Sequence, residues 1–247
     1  MAKQSEKNMM SQLAESSEEL SAAGSFFQKN KKPIQFIGIG LTVLLLGYLG
    51  FLIYQTQVEE PEKQAAREAT FMEETLFDQM ATQFGFSADS TALVLYGGVW
   101  NGNKMSGVLK AIKKFNGTQT ADRMRYIAGA CYLHVGKFDS AIIHLKAFDA
   151  HGSHQIDSRR FTMLGNAYAE KKQTKEAMDA YVKAYEVNTQ DAMFAPEALF
   201  VCGRYAAATN NSKAAIDYFK KLKTEFPSSS NVLNGEVDKR LAMLGEL

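Results

Sequence analysis

Proline, histidine, cysteine and tryptophan are all scarce in this chain. Its 247 residues include four prolines, four histidines, two cysteines and one tryptophan. Alternating β-branched stretches are also scarce, whereas alanine, leucine, lysine and glutamate are plentiful, and this composition favours helices over sheets. Cys131 and Cys202 lie in separate predicted helices, so we expect two small buried side chains and no disulfide.

A charge excess of either sign is missing too. The 28 basic and 27 acidic residues leave a net charge of +1, and no basic stripe of the kind that binds nucleic acid stands out. The chain contains no P-loop, no Rossmann fingerprint and no G-x-S-x-G sequence. We therefore expect a non-enzymatic protein that has no cofactor, no small-molecule substrate and no nucleic-acid partner.

The few residues that could carry chemistry do not form a recognisable site. His151 and His154 make an H-x-x-H pair, but no carboxylate or thiol stands nearby at ligand spacing, so we expect no metal. His134 has no identifiable nucleophile to act on as a catalytic base. The adjacent carboxylates Glu73 and Glu74 are predicted to form a solvated helix face.

One long apolar run is present. Residues 34–54 carry no charge and are long enough to cross a bilayer core of about 30 Å. Charged clusters flank the run: Lys29, Lys31 and Lys32 before it, and Glu59, Glu60 and Glu62 after it. No cleavage pattern follows, so the run predicts a retained membrane anchor. The lysines predict a cytoplasmic N-terminus and a translocated large domain, which in a Gram-negative bacterium would lie in the periplasm.

Two further features adjoin the predicted anchor. Gly40 and Gly47 lie on one face of its helix, and we expect this face to let another membrane helix approach closely. Residues 1–33 are predicted to be a cytoplasmic tail, in which apolar residues near helical spacing favour an amphipathic helix. A partly ordered tail is the alternative.

The rest of the chain contains an internal repeat. Residues 125–148, 161–184 and 199–222 align, with a glycine, an alanine twelve residues later, and a large side chain four residues after that. We predict that the small residues lie where two antiparallel helices cross and that the large side chain fills the space beside them. The residues assigned to this repeat packing are Gly129, Ala141, Gly165, Ala177, Tyr181, Gly203, Ala215 and Phe219.

This pattern resembles the tetratricopeptide repeat. The second copy resembles it best, while the first has Arg125 where a bulky apolar residue is usual. The predicted fold class is therefore all-α, with one N-terminal transmembrane helix followed by a tetratricopeptide-repeat α-solenoid. The predicted segments after the anchor are a helical linker with a degenerate repeat (55–122), three repeats (123–229) and a C-terminal capping helix (230–247).

Stacked helix pairs form a concave groove lined by the first helix of each pair. A groove with aromatic and basic side chains suits an extended peptide or a loop of a partner. The residues predicted to line it are Tyr126, His134, Arg159, Asn166, Phe200 and Arg204. The lysine–asparagine carboxylate clamp of some peptide-binding relatives is not reproduced.

Along its whole length the chain resembles the YfgM-like family. The stretches "FFQKNKKPI" and "FNGTQTADRMRYIAGACYLHVGKFDSAI" carry the resemblance. It implies an accessory subunit of the SecYEG translocon that works with periplasmic chaperones on emerging polypeptides. The alternatives are a scaffold of another envelope machine, an organelle import receptor with its repeats in the cytosol, and an anchored enzyme.

Overall fold

The structure is a computed structural model that describes residues 28–246 of the chain. Most of the predicted N-terminal tail, and with it the proposed amphipathic helix, lies outside these residues. The chain divides into two compact units, Met1–Glu62 and Lys63–Leu247.

The first unit contains a long helix with exposed apolar side chains. Helix α1 (Lys31–Tyr54) continues into a five-residue π-helix, π1 (Gln55–Glu59). The helical span Lys31–Gln57 has a mean hydropathy of 2.4 and buries none of its apolar window. Among the described residues it is the one helix long and apolar enough to cross a membrane.

Helices make up almost all of the remaining chain. The elements after π1 are α2 (Glu60–Glu68), α3 (Phe71–Gln79), π2 (Met80–Phe84), α4 (Ala88–Tyr96), β1 (Gly98–Trp100), β2 (Asn103–Met105), α5 (Val108–Lys114), α6 (Gln119–His134), α7 (Phe138–Ala147), α8 (His154–Glu170), α9 (Thr174–Glu186), α10 (Phe194–Ala208), α11 (Ser212–Glu225), α12 (Ser230–Leu233) and α13 (Glu236–Met243). Helices α6–α11 form three successive pairs, and each helix packs on the next one along the chain. The all-α fold with tetratricopeptide-like helix pairs is confirmed.

The turn inside each pair is set by the local sequence. Gly136, Lys172 and Asn210 occupy the same place after the first helix, and all three have positive φ (73°, 58° and 61°). The next N–H donates back across the helix end to a backbone carbonyl at 2.9 Å in every case. This arrangement satisfies carbonyls that the helix end would otherwise leave free. The three turns are therefore alike although only the first has a glycine.

The buried side chains line the contacts between successive helices. One apolar cluster runs from α3 to α9, and a second runs from α9 to α13. Val237 and Leu241 of α13 belong to the second cluster, so α13 covers the last helix pair.

A two-stranded hairpin joins α4 to α5 and is an addition to the predicted all-helical chain. Gly98 pairs with Met105, and Trp100 pairs with Asn103. The stretch "WNGN" is typical of a turn, and its residues Asn101 and Gly102 both have positive φ. Such a two-residue turn matches the twist of antiparallel strands, which explains why strands form on either side of it.

Candidate functional site

The first helices of the three pairs enclose an open cavity of about 360 Å³. Helix α6 contributes one aromatic side chain, α8 contributes polar and apolar ones, and α10 contributes a mostly apolar wall. The lining residues are Tyr126, Ser158, Arg159, Thr162, Met163, Phe194, Glu197, Ala198 and Val201. We call this space the Arg159 cavity. It contains Tyr126 and Arg159 of the six residues that the sequence assigned to the groove.

Arg159 is held between two aromatic side chains. Its guanidinium carbon lies 4.9 Å from the centre of the Phe194 ring, a favourable cation–π distance. Burial raises the pKa of the Tyr126 hydroxyl, and the nearby positive charge of Arg159 offsets part of that rise. Phe194 is placed by Asp191, whose Oδ1 accepts hydrogen bonds from the N–H groups of Met193 (2.9 Å) and Phe194 (2.8 Å) at the start of α10.

Arg159 forms no ion pair inside the cavity. Glu197 is the other charged residue of its lining, and its Oε1 accepts a hydrogen bond from the Asn231 side chain at 2.9 Å. Among the side chains that the structure describes, no carboxylate lies within ion-pair distance of Arg159. The cavity therefore offers an unpaired cation and one carboxylate beside apolar walls.

His134 and Asn166 line a second open cavity of about 480 Å³, near the C-terminal ends of α6 and α8. Asn166 Oδ1 accepts a hydrogen bond from the Tyr181 hydroxyl at 2.8 Å. His134 stacks on Phe86, with ring centres 3.7 Å apart, and burial lowers its pKa. A stacked imidazole and a hydrogen-bonded amide are groups that can recognise a partner.

Phe200 does not line the groove, and the sequence assignment is corrected here. Its side chain is only 8% exposed, and its ring centre lies 5.9 Å from that of Phe219 in the core. Burying the ring against Phe219 removes a large apolar surface from water, which an open groove would not do. Arg204 is exposed, one turn further along the same helix, with its guanidinium 5.9 Å from the Phe200 ring.

The repeat-packing residues lie at the helix crossings. A Cβ atom built on each of the three glycines would come within 2.3–2.6 Å of the large side chain facing it. The facing pairs are Gly129 with Leu145, Gly165 with Tyr181, and Gly203 with Phe219. The alanines Ala141, Ala177 and Ala215 are fully buried. Only glycine therefore fits at these three crossings without a shift of the neighbouring helix.

Sequence reasoning missed a polar network on α6. Arg125 Nη1 donates to Asp122 Oδ1 at 2.7 Å, and Asp122 Oδ2 lies 2.9 Å from His151 Nε2. The signal in the sequence was Arg125, which stands where the repeat usually has a bulky apolar residue. The ion-pair partner of Arg125, Asp122, is itself buried. In the described part of the chain no three His, Cys, Asp or Glu side chains are grouped to hold a metal.

The interpretation of Glu73 and Glu74 as a solvated face is wrong. Glu73 is 1% exposed, and its Oε1 accepts hydrogen bonds from the Ser106 and Gly107 N–H groups, both at 2.7 Å. Glu74 is partly buried and pairs with Arg123 at 2.7 Å. The chain folds back so that the loop before α5 covers Glu73, a long-range contact that local sequence does not report.

Comparisons with known proteins agree with this architecture in one segment. The tetratricopeptide repeat family matches residues 158–191, which cover most of α8 and all of α9. No curated protein matches the chain. The solved structures that are similar to it include two of MamA. "Crystal structure of MamA" is 19% identical with a TM-score of 0.44, and the match covers 56% of this chain and 75% of that one.

The second structure, "Crystal structure of MamA protein", is 18% identical with a TM-score of 0.44. The match covers 72% of this chain and 87% of that one. Arrays of helix pairs like those of α6–α11 are typical of non-enzymatic scaffolds that bind other proteins. Residues 158–191 of this chain are therefore similar to a tetratricopeptide repeat.

Proposed function

We propose that this protein is a membrane-tethered interaction scaffold, an accessory subunit of the SecYEG translocon that binds emerging periplasmic polypeptides or their chaperones. The observation that carries the proposal is the Arg159 cavity, a peptide-sized opening with one unpaired cation. It occurs in a chain that also holds an apolar helix of membrane-spanning length. The resemblance to the YfgM-like family supports the choice of the translocon.

A membrane tether raises the effective concentration of the proposed binding surface. A site held beside the pore by α1 meets the emerging chain at an effective concentration of order mM, so weak contacts suffice. The lysines before α1 favour a cytoplasmic N-terminus and a periplasmic repeat domain. Gly40 and Gly47 have no atom within 4 Å of a built Cβ, so this face of α1 has room for a helix of a membrane partner.

Site-specific photocrosslinking in secreting cells tests the groove. A crosslinker at Val201, inside the Arg159 cavity, is expected to capture translocon subunits, chaperones or secreted chains. The matched control is Ile143 on α7, an aliphatic residue that is 66% exposed and outside the cavity. Capture from Ile143 but not from Val201 would contradict the groove assignment.

Co-purification tests the anchor independently. Replacing both glycines by leucine (Gly40→Leu with Gly47→Leu) is expected to weaken recovery of SecYEG in mild detergent. The folded repeat domain is expected to stay unchanged, because its core lies in residues 63–247. Normal recovery by this variant, together with silent crosslinkers in the cavity, would remove the support for the translocon. A periplasm-specific reporter fused after Leu247 tests the orientation, and an inactive one would favour the import receptor.

A further inference from the structure

We infer that the Arg159 cavity selects an acidic side chain inside an extended polypeptide, with apolar residues on both sides of that side chain. The inference rests on the proposed function, because it names the kind of segment that the scaffold would bind. Its physical basis is the contrast between an arginine that has no ion pair and the apolar surface around it.

The side chain of Arg159 is preorganised to bind an anion. Arg159 packs on the Phe194 ring and lies beside Tyr126, so its long side chain loses little further freedom when a ligand binds. Glu197 shares the cavity but forms no ion pair with Arg159, and its Oε1 accepts a hydrogen bond from the Asn231 side chain. A partner carboxylate would give Arg159 two parallel hydrogen bonds, the strongest contact that a guanidinium makes.

The surface around the cation is apolar and continues beyond the cavity. Met163, Ala198 and Val201 form part of the wall. Met193, next to Phe194, is 68% exposed, and Ile156, one helical turn before Arg159, is 43% exposed. This apolar rim favours a polypeptide segment over a small molecule, because a small molecule would leave the rim uncovered.

Peptide binding to the full-length protein in detergent tests the inference. The probes are two labelled peptides with amidated C-termini, one with a single Glu between Leu and Phe and the other with Gln in its place. We expect the Glu peptide to bind about tenfold more tightly, a difference that rising salt reduces. Arg159→Met is expected to abolish the preference and Arg159→Lys to retain part of it. Lys175→Met, on the exposed start of α9, is the matched control.

The outcomes separate this inference from the proposed function. Equal affinity of the two peptides would overturn the inference, while crosslinking from Val201 would still support the scaffold. Binding that requires a free C-terminal carboxylate, tested with the unamidated Gln peptide, would also overturn it. If neither peptide binds and the Val201 crosslinker stays silent, both proposals fail.

Discussion

Residues 119–225 and residues 71–115 both form packed helices, but they are held together in different ways. In the three regular pairs, a glycine on one helix receives a large side chain from the next, and the same contact recurs in each pair. In the earlier segment, a buried carboxylate and two glycines join short elements. Gly97 and Gly107 have positive φ, and a built Cβ on either would come within 2.5–2.6 Å of backbone atoms near the other.

The difference is one of range and of chemistry. Side-chain packing between neighbouring helices tolerates drift in the length of the loops between pairs, because the glycine contact lies within one pair. The earlier segment depends on contacts such as the one from Glu73 to Ser106, made across more than thirty residues. We therefore expect the regular pairs to be destabilised most by a larger side chain at a helix crossing. We expect the earlier segment to be destabilised by the loss of the Glu73 carboxylate as a hydrogen-bond acceptor.

The largest effect is expected from Gly165→Leu. A Cβ at this position would lie 2.3 Å from the Tyr181 ring, so α8 and α9 would have to separate. We expect the free energy of unfolding to fall by about 3 kcal/mol, measured by urea denaturation. Lys175→Leu, exposed on α9, should change it by less than about 0.5 kcal/mol. Equal denaturation midpoints for the two variants would contradict the packing role of Gly165.

The same contrast explains how much the sequence could predict. The glycine, alanine and large side chain recur at fixed offsets, so the repeats and the position of Arg159 on a first helix could be predicted from one chain. Phe200 could not, because an aromatic residue suits both a groove and a core, and only the ring of Phe219 decides between them.

The earlier segment lacked any such periodic signal. Glu73 looks like a surface residue until the loop at Ser106 is placed on it. The hairpin had one local indicator, the pair Asn101 and Gly102, and that pair did predict the turn. Non-local hydrogen bonds fixed the remaining contacts, and sequence spacing does not encode them.

A smaller loss is expected from Glu73→Ala. The variant leaves the N–H groups of Ser106 and Gly107 without their acceptor. This is costly because the Gly107 N–H is buried. We expect the free energy of unfolding to fall by about 2 kcal/mol. Glu73→Gln keeps an oxygen for these donors but loses the negative charge at the start of α5, so its cost should be about 1 kcal/mol.

The control for Glu73 is Glu176→Ala, an exposed carboxylate on α9. Its removal should leave the urea midpoint within experimental error of the parent protein. If Glu73→Ala is as harmless as Glu176→Ala, the loop at Ser106 is held by its apolar neighbours alone. The contrast between the two segments would then disappear.

The smallest effect concerns pH and the neighbouring Glu74. Burial raises the pKa of this carboxyl above 4.5, and the charge of Arg123, 2.7 Å away, only partly offsets that rise. A carboxyl with a raised pKa in the folded state favours folding most at pH below its unfolded value and loses this contribution as pH rises through the folded value. Glu74→Gln resembles the protonated form, so it should gain stability relative to the parent protein as pH rises from 4.5 towards neutrality. Urea midpoints of both proteins across this range measure the trend, and Arg123→Gln should make it steeper. If the parent protein instead becomes more stable relative to Glu74→Gln as pH rises, the ion pair with Arg123 outweighs burial. In that case Glu74 would behave as an ordinary surface carboxylate, unlike the buried Glu73 beside it.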